Sequence, residues 1–328
     1  MTAIFDRPID HPMAWTVAEL GGRGGLTRTL TPREHDALDE VLAATAHLPK
    51  LAVTRSEFSH PVIDRLMDEV RREVLDGRGA AVISAYDLER HSLEDYERIY
   101  WGLGAHLGTG AVQSAKGDRI GHVRNAPNEP QRGYTSNVEL RPHTDFHEIM
   151  SLGGVTSAEE GGVSGIASSL AVHNAIQRER PDLLRPLYEG YYYGMQPQAK
   201  SALPMSAKKV PVFSLADGKV SCMCNTFFMR VAAERRGEAL PADLQEALAF
   251  FSEVSQRPEI LLQFMLEPGE MLFWNNFTQL HARTEFRDTP EHTRLLLRLW
   301  LNVPNGRSVV PEIAERARQV ESRVPEPA

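Results

Sequence analysis

The chain contains the triplet His143-Thr144-Asp145, and a third candidate ligand, His281, follows much later in the sequence. Side chains two residues apart on a β-strand point to the same face, so His143 and Asp145 can approach one ion together. Two imidazoles and one carboxylate on one face of an octahedron form the ligand set of non-haem Fe(II) sites. A chance triplet or a surface hydrogen-bonding pair is the alternative, because the chain has 12 His and 44 acidic residues.

The sequence on both sides of His281 indicates buried strands. Pro268-Gly269 is a turn signal that starts an apolar strand before this histidine. Residues 295–301 are almost continuously apolar, as in a strand buried on both faces, yet Arg298 stands among them. A buried guanidinium needs an anion, because an unpaired buried charge is strongly destabilising. Arg294 and Arg298, four residues apart on one strand face, therefore predict either two anions bound along one cavity or two internal salt bridges.

Together these stretches resemble the taurine dioxygenase/TfdA-like superfamily of Fe(II)- and 2-oxoglutarate-dependent oxygenases, which is clavaminate synthase-like. The resemblance extends from about residue 104 to residue 303, and the order and spacing of its motifs are specific for the superfamily. It says little about the substrate. The motifs are, in this sequence, Gly108 with Ser114 and Gly117, His143-Thr144-Asp145, Glu160-Gly161-Gly162-Val163-Ser164, Gly269-Glu270, Asn276 with His281 and Arg283, and Arg294 with Arg298, Trp300 and Leu301.

The resemblance implies a role for each residue of the expected active site. His143, Asp145 and His281 would be the iron ligands and the catalytic centre. Arg294 would pair with the C5 carboxylate of the cosubstrate 2-oxoglutarate, and the Ser164 hydroxyl would hydrogen-bond the same group. The chemistry agrees, since a carboxylate is best held by a planar bidentate donor, which arginine supplies and lysine does not.

Asp145 also narrows the expected reaction. Halogenating members of the wider group lack a carboxylate at this position, so its presence favours an oxygenase that converts 2-oxoglutarate and O2 into succinate and CO2 while it oxidises an unactivated C–H bond. Hydroxylation, desaturation, cyclisation and epimerisation all remain open. The alternative is a non-catalytic jelly-roll protein that binds a metal or a small acid, such as a sensor. A degenerate relative of that kind would be expected to lack part of the site, and the chain retains His143, Asp145, His281 and Arg294.

Arg298 bears on the identity of the substrate. As a second arginine on the cosubstrate strand, it predicts a small anionic substrate: an amino-acid-like molecule, a sulfonate or a natural-product intermediate. The alternative is that Arg298 binds the same carboxylate of 2-oxoglutarate as Arg294.

Three other residues are candidates for substrate contacts. His147 continues the face of the triplet, and we expect it to line the pocket rather than to bind iron. His122 lies in a predicted strand at residues 120–124, where a polar surface face is the alternative. Arg283 follows the distal histidine and is expected to hold either the substrate or a loop. Asn276 precedes that histidine and is interpreted as a residue that stabilises a turn.

Composition favours one soluble domain that acts on a small molecule. The chain has 328 residues, of which 42% are hydrophobic, and no Pro/Gly/Ser-rich linker divides it. A formal net charge of −8 gives no electrostatic case for binding nucleic acid or an anionic membrane. The N-terminus lacks a signal-peptide pattern and no apolar run reaches 18 residues, so a cytoplasmic protein is expected. Homo-oligomerisation stays open, and Cys222 and Cys224 are interpreted as buried reduced thiols.

The expected architecture is mainly β with flanking helices around a double-stranded β-helix (jelly roll) core, as the resemblance implies. A helical N-terminal portion would cover residues 1–103, the core with its insertions 104–303, and a loosely held helical tail 304–328. Residues 196–209 predict a mobile loop and a candidate lid. The capping box Thr31-Pro32-Arg33-Glu34 and helical periodicity predict the helices 32–47, 61–75, 92–106, 170–179, 241–253 and 311–323, and an apolar run predicts a strand at 80–83.

Overall fold

The computed structural model of the protein describes residues 3–84, 86–114, 117–129, 133–194 and 204–321, with side chains up to Arg316. Most of the candidate lid and the end of the tail lie outside these residues. The helices are α1 Val17–Leu20, α2 Pro32–Thr45, α3 Pro61–Leu75, α4 Leu93–Leu107, α5 Ser169–Glu179, α6 Leu184–Glu189, α7 Thr226–Arg236, α8 Ala242–Ser255 and α9 Pro311–Glu321. The strands are β1 Thr27–Arg28, β2 Ala80–Ile83, β3 Thr109–Gly110, β4 Gly121–Val123, β5 Leu140–His143, β6 Ile149–Thr156, β7 Glu160–Gly161, β8 Ser164–Ser168, β9 Phe213–Ala216, β10 Lys219–Cys222, β11 Leu261–Phe264, β12 Met271–Asn275, β13 Gln279–Arg283, β14 Phe286–Arg287 and β15 Leu295–Asn302.

Two sheets form the core. The larger has the strand order β1-β2-β12-β6-β15-β3, with β4 also paired to β15, and the smaller has the order β11-β8-β13-β5. An apolar layer joins them: Met150, Trp274 and Trp300 of the larger sheet pack in one buried cluster with Ile166 and Phe264 of the smaller. This is the predicted mainly β architecture, and it opens a cavity between the sheets.

Helices cover the outer faces of both sheets. Apolar side chains of α2, α3 and α4 form one buried cluster with Phe273 of β12 and with Leu297 and Leu299 of β15. The α4 side also makes a polar contact, because the Tyr96 hydroxyl donates to the Glu270 carbonyl at 3.0 Å. Helices α5, α6 and α8 form a second cluster on the smaller sheet. The sheets are therefore held from outside, and the cavity lies on their inner side.

The N-terminal portion differs in one respect from the expected helical cap. Strand β2 is buried along its whole length and pairs with β1 in parallel and with β12 in antiparallel register, so this portion contributes two strands to the larger sheet. Helix α4 also runs to Leu107, past the expected boundary at residue 103. Local signals were otherwise accurate: α3 and β2 have the predicted bounds, and the Glu34 carboxylate accepts from the Thr31 backbone N–H at 2.7 Å in the predicted capping box.

Among the described residues, none of the helices combines the length and the apolar character that crossing a lipid bilayer requires.

Candidate iron centre

His143, Asp145 and His281 converge at one end of the smaller sheet. Strand β13 places His281 directly opposite His143 of β5, and the two ring centroids are 4.1 Å apart. Asp145 lies beyond the end of β5, so it does not share a strand face with His143 as the sequence suggested. One donor atom from each residue nevertheless lies within 4.8 Å of the other two. The donor set of two imidazoles and one carboxylate suits a divalent transition metal.

The protonation states of the three residues fit a metal centre. The Nδ1 of His143 lies 2.8 Å from the Arg141 carbonyl, which can only accept, so Nδ1 is the donor and Nε2 is the nitrogen available to a metal. Burial, helped by the neighbouring His143, lowers the pKa of His281 to about 3, so this imidazole is neutral at physiological pH. Burial raises the pKa of Asp145, but His281, Arg298 and His143 together lower it by more, and the carboxyl is ionised.

Asn276 holds the segment that carries Asp145. Its Oδ1 accepts from the Asp145 backbone N–H at 3.1 Å, and its Nδ2 donates to the carbonyls of Asp145 and His147, each at 3.0 Å. The side chain is fully buried. Sequence reasoning gave Asn276 a turn-stabilising role, and in the structure it lies in the turn between β12 and β13 and ties the segment that carries Asp145 to this turn.

Asn276→Ala is expected to lower the free energy of unfolding by about 2–4 kcal/mol, because it leaves buried backbone groups without partners. Fe(II) affinity should fall by roughly 10–100-fold, as is typical when a residue that orients a metal ligand is lost. Thermal unfolding and an Fe(II) titration measure the two effects. Asn128→Ala, at an exposed position, is the control, and equal iron affinity in both variants would contradict the assigned role.

Arg294 is a buried cation with an unused donor. It lies just before β15 at 4% exposure, and its Nη2 makes only a long contact of 3.5 Å to the Gly162 carbonyl. Its buried Nη1 has no hydrogen-bond partner, and no carboxylate forms an ion pair with the guanidinium, among the described residues. Burial and the nearby Arg283 lower the pKa of Arg294 to about 9, and Asp288 offsets this only in part. A guanidinium in such surroundings is a ready-made site for an anion.

Two further residues lie around this cation. Ser164 begins β8, is buried, and stands opposite Arg283 in the register of β8 and β13. The Arg283 guanidinium donates to the carbonyls of Gly133, Ser136 and Val138. Of the two roles expected for Arg283, the structure places it in the one that holds a loop, residues 133–138.

Arg298 is held in a fixed orientation. Its Nε donates to Gln113 Oε1 at 2.7 Å, and its guanidinium lies 4.5 Å from the Tyr134 ring centroid and 4.6 Å from that of Trp300. A guanidinium stacked on aromatic faces keeps its donor edges in a defined plane. Arg294 and Arg298 line the same cavity as the three candidate metal ligands.

The structure places two of the expected substrate contacts outside the described lining of the cavity. His147 is 1% exposed, and its Nδ1 lies 3.0 Å from Asn302 Oδ1. Its ring stacks on that of Trp300, which lines the cavity, but His147 itself is not part of the lining. The strand parity that placed it beside His143 fails because β5 ends at His143 and β6 begins only at Ile149. His122 lies on β4 and pairs with Glu97 at 2.8 Å, with its side chain 46% exposed and away from the cavity. Both residues therefore have structural partners elsewhere.

Comparison with known proteins identifies the family of the chain. The family described as taurine catabolism dioxygenase TauD, TfdA family matches residues 44–300, which is most of the sequence. The chain belongs to this family. As a TauD/TfdA family member it is an Fe(II)- and 2-oxoglutarate-dependent oxygenase, which confirms the class predicted from the motifs.

Two relatives of this TauD/TfdA family member have low sequence identity to it but match most of its length. FR-33289 synthase of Streptomyces rubellomurinus is 26% identical over 325 residues, which cover 94% of each chain. The taurine hydroxylase-like protein SAT17 of Stachybotrys chartarum is 26% identical over 313 residues, which cover 89% of this chain and 79% of that protein. Among solved structures, an asparagine oxygenase superposes with a TM-score of 0.69 at 16% identity, covering 84% of this chain and 93% of that one. The non-heme iron oxygenase OrfP gives 0.63 at 16% identity, with 84% and 94% covered. These superpositions confirm the predicted jelly-roll fold.

Sequence reasoning missed a residue of the C-terminal portion of this oxygenase. The expected loose tail is docked through Ile313 and Arg316 of α9, which are 0% and 1% exposed. The Arg316 guanidinium lies 4.9 Å from the Phe146 ring centroid and 5.4 Å from that of Phe228, and it lines the cavity. From its sequence alone, a charged segment with one apolar anchor is expected to be a helix exposed to solvent. Cation–π contacts produce no periodic pattern in a sequence, so the docking of Arg316 was not predicted.

Proposed function

We propose that this oxygenase oxidises a C–H bond of a small anionic substrate, with Fe(II) held by His143, Asp145 and His281. Arg294 binds the far carboxylate of 2-oxoglutarate, and the buried Ser164 hydroxyl donates to it. The observation that carries the proposal is that the metal-ligand triad and a buried arginine with an unused donor line one cavity. No described carboxylate serves that guanidinium, so a dicarboxylate ligand supplies its missing partner.

The chain's own part in the reaction is binding, orientation and protection. Bound iron with 2-oxoglutarate and O2 supplies the oxidising power, and the protein supplies the ligands and the surroundings. The Arg141 carbonyl fixes the ring of His143, and Asn276 fixes the backbone on both sides of Asp145. Helices pack on the outer faces of both sheets and support the walls of the cavity, in which one C–H bond must be placed accurately.

The charge of the cavity favours an anionic substrate. Among the described residues six arginines line it, against the two carboxylates of Glu139 and Asp145, although the whole chain has a formal net charge of −8. One arginine is assigned to 2-oxoglutarate and one holds the loop at residues 133–138. Arg298, fixed between two rings next to the metal centre, is therefore assigned to a carboxylate, sulfonate or phosphonate of the substrate.

The known structures of similar fold support hydroxylation of an amino-acid-like molecule. The asparagine oxygenase structure contains 3-hydroxyasparagine with succinate, and an OrfP structure contains 3-hydroxyarginine with succinate. Both of those ligands carry a carboxylate. We propose for this chain a small substrate that likewise carries an anionic group, oxidised by insertion of one oxygen atom.

A substrate screen tests this proposal. Amino acids, sulfonates and phosphonates are incubated with the enzyme, Fe(II), 2-oxoglutarate and O2, succinate release is measured, and mass spectrometry follows each candidate. An anionic compound that stimulates succinate release and gains one oxygen atom is the expected result. Stimulation only by compounds that lack a carboxylate, sulfonate or phosphonate group would contradict the assignment of Arg298.

Arg298→Met refines the test once a substrate is known. The KM for that substrate should rise at least about tenfold, because a charge-assisted hydrogen bond contributes about 1.5–3 kcal/mol. The KM for 2-oxoglutarate should not change. The opposite pattern, with only the 2-oxoglutarate KM raised, would show that Arg298 shares the cosubstrate with Arg294.

A further inference from the structure

The cavity is larger than the ligands assigned to it so far. Its volume is about 1440 Å³, whereas pockets for drug-sized ligands measure about 300–1000 Å³. 2-Oxoglutarate and an amino-acid-like substrate are both smaller than a drug-sized molecule. Space therefore remains beyond the metal centre and the cationic floor formed by Arg294 and Arg298.

An aromatic track leads through this space from the metal centre to the rim. Phe146 directly follows Asp145, its ring lies 5.1 Å from that of Phe228 on α7, and the latter lies 5.4 Å from the ring of Phe227. All three rings line the cavity, and Leu248 of α8 lies in the same wall. Aromatic rings thus line this wall from beside a metal ligand to the outer edge, and the Arg316 guanidinium lies against two of them, those of Phe146 and Phe228.

The outer end of the track is exposed to solvent. Among the described residues four large hydrophobic side chains are exposed, and two of them, Phe227 at 45% and Val138 at 55%, belong to this one cavity. Scattered exposed apolar side chains are normal, but apolar surface grouped in a binding cleft indicates a ligand. Phe227 and Val138 come from different elements, α7 and the loop that Arg283 holds, so the fold brings two exposed apolar side chains to the lining of one cavity.

We propose that Phe146, Phe228, Phe227 and Val138 bind an apolar arm of the substrate, and that the substrate is an amphiphilic anion rather than a bare amino acid. Its anionic end lies at Arg298, and an aliphatic or aromatic extension runs along the aromatic track to the rim. The inference rests on the proposed function, because the anionic end is placed by the assignment of Arg298. Continuity with the metal centre favours this occupant over a second copy of the chain, which could cover the rim but not the inner rings.

Chain-length dependence of binding tests the inference. Straight-chain alkanesulfonates, alkanecarboxylates and alkylphosphonates of two to eight carbons serve as probes, and calorimetry measures their binding to the anaerobic Fe(II)- and 2-oxoglutarate-loaded enzyme. In at least one series each added CH2 should tighten binding by up to about fourfold, from about 0.8 kcal/mol per buried CH2. Affinity that stays flat with chain length in all three series would overturn the inference, as expected if another copy or segment of the chain covered the wall.

Variants of the rim residues, with matched controls, show which side chains cause the dependence of affinity on chain length. Phe227→Ser and Val138→Ser should flatten the chain-length dependence and leave the affinity for 2-oxoglutarate unchanged. Leu51→Ser and Leu93→Ser alter the other two exposed hydrophobic side chains, which lie outside the cavity, and should change neither. A dependence that survives both rim substitutions, or that the controls weaken equally, would refute the assigned wall.

The same data separate this inference from the proposed function. If two-carbon anions bind and Arg298→Met weakens them, the anion site stands whatever the chain-length series shows. If affinity rises with chain length but Arg298→Met has no effect, the apolar wall stands and the assignment of Arg298 fails.

Discussion

Asp145→Ala is expected to abolish succinate formation from 2-oxoglutarate. The substitution removes the carboxylate of the metal-ligand set and leaves two imidazoles. Fe(II) affinity should fall by more than the roughly 10–100-fold typical for loss of a residue that merely supports a ligand. An Fe(II) titration and a succinate assay at saturating iron measure the two effects.

The control for this variant is Asp182→Ala, which removes a surface carboxylate paired with Arg180. It should leave iron affinity and succinate release unchanged, since exposed ion pairs contribute little. Thermal unfolding of both variants shows whether each is folded. A folded Asp145→Ala protein with an unaffected rate would mean that the ligand assignment is wrong.

Arg294→Met is expected to affect function and stability in opposite ways. Affinity for 2-oxoglutarate should fall by about 2–5 kcal/mol, or roughly 30- to 5000-fold, because one partner of a buried charge pair is lost. The free energy of unfolding without cosubstrate should not fall. In that state Arg294 is a buried charge without a described anion, and replacing such a charge by an apolar side chain is often neutral or stabilising.

Arg283→Met provides the matched comparison, because Arg283 is a second buried arginine of the same cavity. Its guanidinium donates to three backbone carbonyls, so its loss should lower the free energy of unfolding by about 1–3 kcal/mol. Isothermal titration with 2-oxoglutarate and chemical denaturation of both variants give the comparison. Unchanged 2-oxoglutarate affinity in Arg294→Met, or a clear loss of stability, would contradict the view that this arginine is kept for a ligand.

Structural features that depend on residues close together in the sequence were predicted from local sequence patterns. The capping residues of α2 and α4 and the periodicity of α3 fixed those helices to within about two residues, because caps and amphipathic spacing act over one or two turns. The two histidines and the carboxylate were found because metal chemistry restricts the residue types that can serve. Arg298 was singled out because a guanidinium in an apolar strand is costly without a partner, whereas the role expected for Arg294 came from the family resemblance.

Features that depend on where the chain leaves a strand could not be predicted in the same way. The alternation of faces was extended from His143 to Asp145 and His147, but the strand ends at His143. There the Thr144 N–H bonds to the Cys224 carbonyl at 2.9 Å instead of continuing the ladder. Asp145 still reaches the site because Asn276 holds it, whereas His147 turns to Asn302. The docking of Arg316 similarly depends on contacts between elements far apart in sequence.

An anaerobic titration of the full chain with Fe(II) and 2-oxoglutarate tests the central claim most directly. We expect a weak visible charge-transfer band that requires both components, saturates at one equivalent of each, and is lost in Asp145→Ala. In Arg294→Met the same band should appear only at much higher 2-oxoglutarate concentration. Iron that binds to the wild-type protein without producing any band on addition of 2-oxoglutarate would contradict the claim that these residues form an Fe(II)/2-oxoglutarate centre.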